Sequence, residues 1–304
     1  MSMYQPGLLH TPVTPFTRGH AIDFDRYAKL IEFHLANGAD GLALPMHAGE
    51  SVSLSDGERR ALVEFAIKHV NDRKPIIAHV SETGTAIATA LARHAEEQGA
   101  SAIVATTPYY WTPPTAMVLE HFVQIGSAVK IPFFLYLAPE EMQGGKVNAE
   151  LCLKLIAKLP NFAGLIDLSL DWQFMIELMT NAPQLRPGFQ LLAGTELMVS
   201  AAAIGATGML APLAGIAPRL VRELYDLCRD QKLFEARKIQ EQIAALRQAL
   251  EPGGVASLKA AMRAMGRDCG EPRPPVLALD AVAYQKLVGE LETVVMLHAE
   301  ARDW

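Results

Sequence analysis

The chain has 304 residues, half of them hydrophobic and 20% charged, which is enough for a large globular core. A net charge of −6 and a pI near 5.9 leave no basic surface for a phosphate backbone, so no nucleic-acid partner is expected. No apolar run reaches the roughly 20 residues a membrane span needs, and the first residues lack a basic, then apolar, leader pattern. Cys152, Cys228 and Cys269 are odd in number and far apart, with no CxxC pair, which suits a reducing cytoplasm.

Taken in order, short apolar runs alternate with amphipathic stretches. Strands are predicted over residues 7–12, 41–44, 75–80, 102–105, 132–136, 163–168, 190–193 and 208–211. Helices are predicted over 25–37, 55–71, 85–98, 115–129, 148–159, 172–179, 196–204 and 218–229. Ser55 with Glu58 three residues on has capping-box spacing, and Gly99 closes the third helix. The strands are apolar on both faces, as buried parallel strands are, and the helices between them are crossovers. Eight such units predict an α/β fold, a (β/α)8 TIM barrel, over residues 1–229. A doubly wound open sheet is disfavoured because no GxGxxG follows the first strand. Beyond residue 229 strand signals stop. Residues 233–250, 254–265 and 281–298 predict a C-terminal three-helix domain over 230–304, broken at Pro252-Gly253-Gly254 and at Pro272-Arg273-Pro274-Pro275.

In such barrels the chemistry sits at the C-terminal strand ends. There the sequence places His10 and Thr11, then His47, Gly49, Glu50 and Ser51, then His79, Ser81 and Glu82. Later strands add Thr106, Thr107, Tyr109, Tyr110, Tyr136, Asp167, Ser169, Thr195 and Glu196. His47 and His79, with carboxylates on the same rim, are weak candidates for a divalent metal, since they form no local ligand motif. A hydrogen-bonded rim position is the plainer reading of His79. No resident cofactor is expected.

These motifs, in this order, resemble the family of dihydrodipicolinate synthase and N-acetylneuraminate lyase, the class I pyruvate-dependent aldolases. The residues that carry the likeness are Thr11-Pro12-Val13-Thr14-Pro15-Phe16, Gly49-Glu50-Ser51 and Thr107-Pro108-Tyr109-Tyr110. Leu135-Tyr136-Leu137-Ala138-Pro139 and Lys259-Ala260-Ala261-Met262 with Gly266 and Arg273-Pro274-Pro275 extend it over essentially the whole chain. The resemblance implies a strand-6 lysine that forms an imine with a 2-keto acid, an electron sink for a neighbouring carbanion. It also implies a strand-5 tyrosine relaying protons, matched by Tyr136, and a strand-4 tyrosine reaching in from a neighbouring subunit of a homotetramer, matched by Tyr110. In that family the glutamate matched by Glu50 mainly holds a loop.

Four positions depart. Ile166 stands where the resemblance puts the lysine, His47 and Ala48 replace two threonines, and Glu141 falls where a carboxylate-binding arginine is expected. No other lysine is placed to substitute, Lys146 beyond strand 5 being the nearest. The sequence therefore predicts a lyase-like protein acting on a small keto or hydroxy acid without a lysine imine. Tyr136, Tyr110 and His47 are the catalytic candidates. Glu50, Ala48, Ile166, Asp167, Thr195 and Glu196 are the substrate-binding candidates. A metal-assisted aldolase and an inactive paralogue that binds a small carboxylate are the alternatives.

Overall fold

The computed structural model describes residues 6–138, 145 and 147–304. Eight parallel strands close into a barrel in sequence order: β1 (Leu8–His10), β2 (Gly41–Leu44), β3 (Ile76–His79), β4 (Ala102–Ala105), β5 (Phe133–Leu137), β6 (Phe162–Asp167), β7 (Gln190–Gly194) and β8 (Gly208–Ala211). β8 pairs back onto β1, so no edge is left open. Each strand is followed by a helix: α1 (Phe24–Ala36), α2 (Asp56–Val70), α3 (Thr85–Gln98), α4 (Thr115–Ser127), α5 (Ala149–Lys158), α6 (Trp172–Leu185), α7 (Met198–Ala203) and α8 (Pro218–Arg229). The expected capping box is present, Ser55 and Glu58 each accepting the other's backbone N–H.

Strand side chains divide between two cores. Leu9, Ala43, Ile77, Val104, Phe134, Tyr136, Ile166, Leu192 and Leu210 fill the barrel, while Leu42, Ile76, Ile103, Phe133, Leu135, Leu165 and Leu191 face the helices. β6 breaks its own alternation. The register shifts between Phe133 and Phe134, which pair with Phe162 and Gly164, so Ala163 is an extra residue. A Cβ on Gly164 would lie 2.2 Å from the Gln190 carbonyl oxygen, so only glycine fits there. The bulge resets the strand's parity, turning Ile166 into the barrel and Asp167 out of it.

Two predicted helix ends move by five residues or more. α6 runs on past Met179 to Leu185 despite Pro183, because Ala182 is buried and the Asn181 and Gln184 side chains donate to the Glu177 and Thr180 carbonyls. α11 (Ala281–Thr293) stops earlier than expected and gives way to a 3-10 turn, Val295–Ala299.

α9 (Leu233–Leu250), α10 (Val255–Ala264) and α11 form the helical C-terminal part, and it shares a core with the barrel. Ile243, Leu246, Leu258, Met262 and Leu287 pack in one cluster with Leu8, Met209 and Ala211. Polar ties reinforce the joint. Arg267 is fully buried, donates to the carbonyls of Gly215, Ala301 and Asp303, and stacks over Phe33. Glu50, at the end of the turn after β2, meets Lys259 of α10 at 2.6 Å.

Candidate functional site

At the C-terminal ends of β2 to β5 the barrel opens into a cavity of about 240 Å³, lined by His47, Ser51, Arg59, His79, Thr106 and Tyr136, among others. It is smaller than the roughly 300–1,000 Å³ of typical ligand pockets, so its occupant is small. Tyr136 is 6% exposed and sits edge-on to His79, ring centroids 6.4 Å apart. The cavity is therefore displaced from β6 toward β2–β4.

His79 is held as a neutral imidazole. Burial, the first cause, and the nearby Arg59 charge push its pKa down to about 3, against the Pro45 carbonyl facing the ring. Its Nε2 lies 2.6 Å from Ser81 Oγ, which also accepts the Thr106 N–H at 2.8 Å. This chain rivets β3 to β4 and occupies one of the two ring nitrogens a metal would use. His47 lines the cavity from the 3-10 turn His47–Gly49 and is exposed. Partial desolvation lowers its pKa, opposed by the Glu50 charge. Among the described residues no three His, Cys, Asp or Glu side chains gather into a metal site.

The remaining sequence candidates whose side chains are described do not line the cavity. Glu50 sits in the left-handed region (φ 56°), ion-paired to Lys259 and accepting the Arg273 N–H at 2.8 Å. It holds a loop and does not line the cavity. Ala48 is buried in the cluster shared with the C-terminal helices. Thr195 Oγ1 donates to the Leu210 carbonyl at 3.1 Å, stitching β7 to β8, and Glu196 lies on the same 3-10 turn, its side chain outside the described residues. Ile166 is wholly buried in the barrel core, paired in register with Tyr136. His10 turns away from the cleft and meets His34 of α1, Nδ1 to Nδ1 at 3.1 Å. Tyr110 is fully exposed with φ +80°, a conformation that costs a non-glycine residue free energy. Glu141 and Lys146 lie outside the described residues.

Asp167 is the clearest correction. The β6 bulge turns it outward, where it is fully buried against α5, close enough for its charge to raise the Cys152 pKa. Oδ1 accepts the Ser169 N–H and hydroxyl at 2.7 and 2.8 Å, and Oδ2 has no partner among the described residues. Burial, the largest cause, pushes its pKa from 3.8 to about 6. The folded state thus binds this proton more tightly than the unfolded chain. The linked stability is full below about pH 4 and is lost as pH rises through 6, on the order of 3 kcal/mol. Asp167→Asn is expected to match wild type in urea denaturation at pH 4 and to be more stable by about 1–3 kcal/mol at pH 8. An equal effect at both pH values would contradict this assignment.

Sequence reading missed Arg59. Arg59 is 5% exposed and lines the cavity, although it lies on a helix. The available signal was its place in the first turn of α2, where a cation opposes the helix dipole.

The comparisons agree with this architecture. The model of the Dihydrodipicolinate synthetase family matches residues 5–294. A 4-hydroxy-tetrahydrodipicolinate synthase of Azoarcus sp. is 33% identical over 78% of this chain and 80% of its own length. That of Acetivibrio thermocellus is 31% identical over 87% and 88%. Among solved structures, a prophage protein of the dihydrodipicolinic acid synthase family from E. coli K12, in complex with pyruvate, is 26% identical with a TM-score of 0.89. The match covers 96% of this chain and 99% of that one. The dihydrodipicolinate synthase of Aquifex aeolicus matches at the same identity, TM-score and coverage. With eight strands closed in order, the helical C-terminal part in place and the family match running over nearly its whole length, this chain belongs to the dihydrodipicolinate synthetase family.

Proposed function

We propose that this protein is a lyase-family enzyme that acts on a small keto or hydroxy acid without a lysine imine, using Tyr136 and His47 to move protons. The observation that carries this reading is Tyr136 lining a small cavity beside His47 while Ile166 fills the neighbouring β6 position. A phenol and an imidazole of lowered pKa lining one cavity supply a proton donor and a proton acceptor. Isoleucine forms no imine. Lys259 is the lysine buried among the described residues, and its Nζ is committed to Glu50.

Tyr110 belongs to the same reading as a residue lent to a neighbouring subunit of a homotetramer. Its full exposure, with Val52, Ile87, Trp111 and Met117 also exposed on the β2–α2, β4–α4 and helix-start segments at this end of the barrel, supports an apolar subunit contact there. A cytoplasmic setting is supported by three buried free thiols. The metal-assisted alternative has only His47 and His79 behind it.

Borohydride with pyruvate tests the reading. Intact-mass analysis is expected to find no adduct. A reduced pyruvyl group mapped to any lysine would overturn the imine-free mechanism.

A further inference from the structure

We propose that Arg59 receives the carboxylate of the acid and that Thr106 contacts a second oxygen of the same molecule, so that the cavity selects small oxygenated anions. This inference rests on the cavity being the ligand site of the function proposed above. Arg59 lies in the first turn of α2, where unpaired N–H groups already make the surroundings positive, so a cation there costs stability. A cation buried in this way is ordinarily closed by a carboxylate at about 2.7–2.9 Å.

Two other arginines of this chain are closed in that manner, while fully buried Arg267 is closed by several backbone carbonyls. Arg273 grips Glu58 through two bonds of 2.8 and 2.9 Å, and Arg73 grips Glu32 at 2.6 and 2.8 Å. Arg59 has a longer ion pair. Its Nη1 is 3.4 Å from Glu82, and that carboxylate also accepts the Thr83 N–H at 2.8 Å and the Tyr109 hydroxyl at 3.2 Å. Nη2 donates to the His79 carbonyl at 3.2 Å, and Nε has no partner among the described residues.

Among the described residues the cavity lining includes no Asp or Glu, Glu82 being the carboxylate that reaches Arg59, and His79 is neutral. Thr106 is an independent pointer to a ligand. It is 7% exposed, lines the cavity, and its Oγ1 has no hydrogen-bond partner among the described residues. A buried hydroxyl left in that state is costly until something binds it. A guanidinium, an open hydroxyl and the Tyr136 ring around one small space fit a short acid with a keto or hydroxyl oxygen.

The test is binding, read by calorimetry and thermal shift with lactate, malonate and succinate against lactamide, malonamide and succinamide. Wild-type protein is expected to bind acids and not amides. Arg59→Met should weaken acid binding by at least about tenfold, with Arg59→Lys in between. Glu82→Gln should tighten it several-fold, because Arg59 loses its competing carboxylate. That second variant keeps the test decisive if Arg59→Met folds poorly by circular dichroism. Acids and amides binding alike, no acid binding at all, or a Glu82→Gln variant that binds acids no better than wild type would overturn the assignment. Turnover is not read here. Binding through Arg59 in a protein with no detectable activity would leave this inference standing and remove the enzymatic one.

Discussion

Replacing Tyr136 with Phe is expected to lower turnover of the acid substrate by about 10²–10⁴-fold, the usual loss when a positioned proton donor is removed. A screen of small 2-keto and 2-hydroxy acids supplies the substrate for the comparison. The ring stays, so the barrel interior keeps its packing against Ile166 and Phe134, and stability should change by only about 1 kcal/mol. His47→Ala should give a loss of similar size, because His47 lines the same cavity from the opposite end of the relay. Since partial desolvation lowers the His47 pKa, the acid limb of the rate profile should fall below the ordinary imidazole range and vanish in the alanine variant. Near-wild-type rates in both variants would remove the relay. A phenylalanine variant that is inactive but also unfolded would be uninformative, so equal urea midpoints for wild type and Tyr136→Phe are part of the expected result.

The barrel was legible because each strand carries its own signal, a short apolar run bounded by glycine, proline or a polar tip. Strands β2, β4 and β8 and helices α3, α8 and α9 fall on their predicted residues. The site was less legible, for local reasons. Position along a strand says how close a side chain is to the cleft, while parity says whether it faces inward, and one bulge at Ala163–Gly164 inverts parity on β6. Asp167 and Ile166 were both assigned to the cleft, and only Ile166 faces the barrel interior. Thr195 and His10 are polar strand ends whose partners are a neighbouring strand and a helix, contacts that lie 15 and 24 residues away in sequence. Arg59 was hidden for the opposite reason. It lies on a helix, where charge is normally solvated, yet it is buried in the first turn of α2 and lines the cavity.

Lys259→Met is expected to cost about 3–5 kcal/mol in urea unfolding, the penalty for stranding a buried charge by removing its partner. Both side chains of the pair are 2% exposed and their charged atoms are 2.6 Å apart. Lys259 Nζ also lies 4.3 Å from the centre of the Phe16 ring, a cation–π contact that methionine cannot make. With Lys259 gone, Glu50 keeps the Arg273 N–H and loses its counter-charge. Glu50 is three residues past His47 and closes its turn in the left-handed conformation, so the loss should also loosen the loop that carries His47. Turnover should therefore fall although Lys259 touches no substrate. Adding Glu50→Gln to Lys259→Met neutralises the stranded group, and most of the lost stability should return, because two neutral side chains of similar volume carry no unpaired charge. Activity should return less fully, since the glutamine holds the turn with weaker, uncharged hydrogen bonds. A single variant within about 1 kcal/mol of wild type, or a double variant no more stable than the single, would show that the pair does not join the helical C-terminal part to the loop of the site.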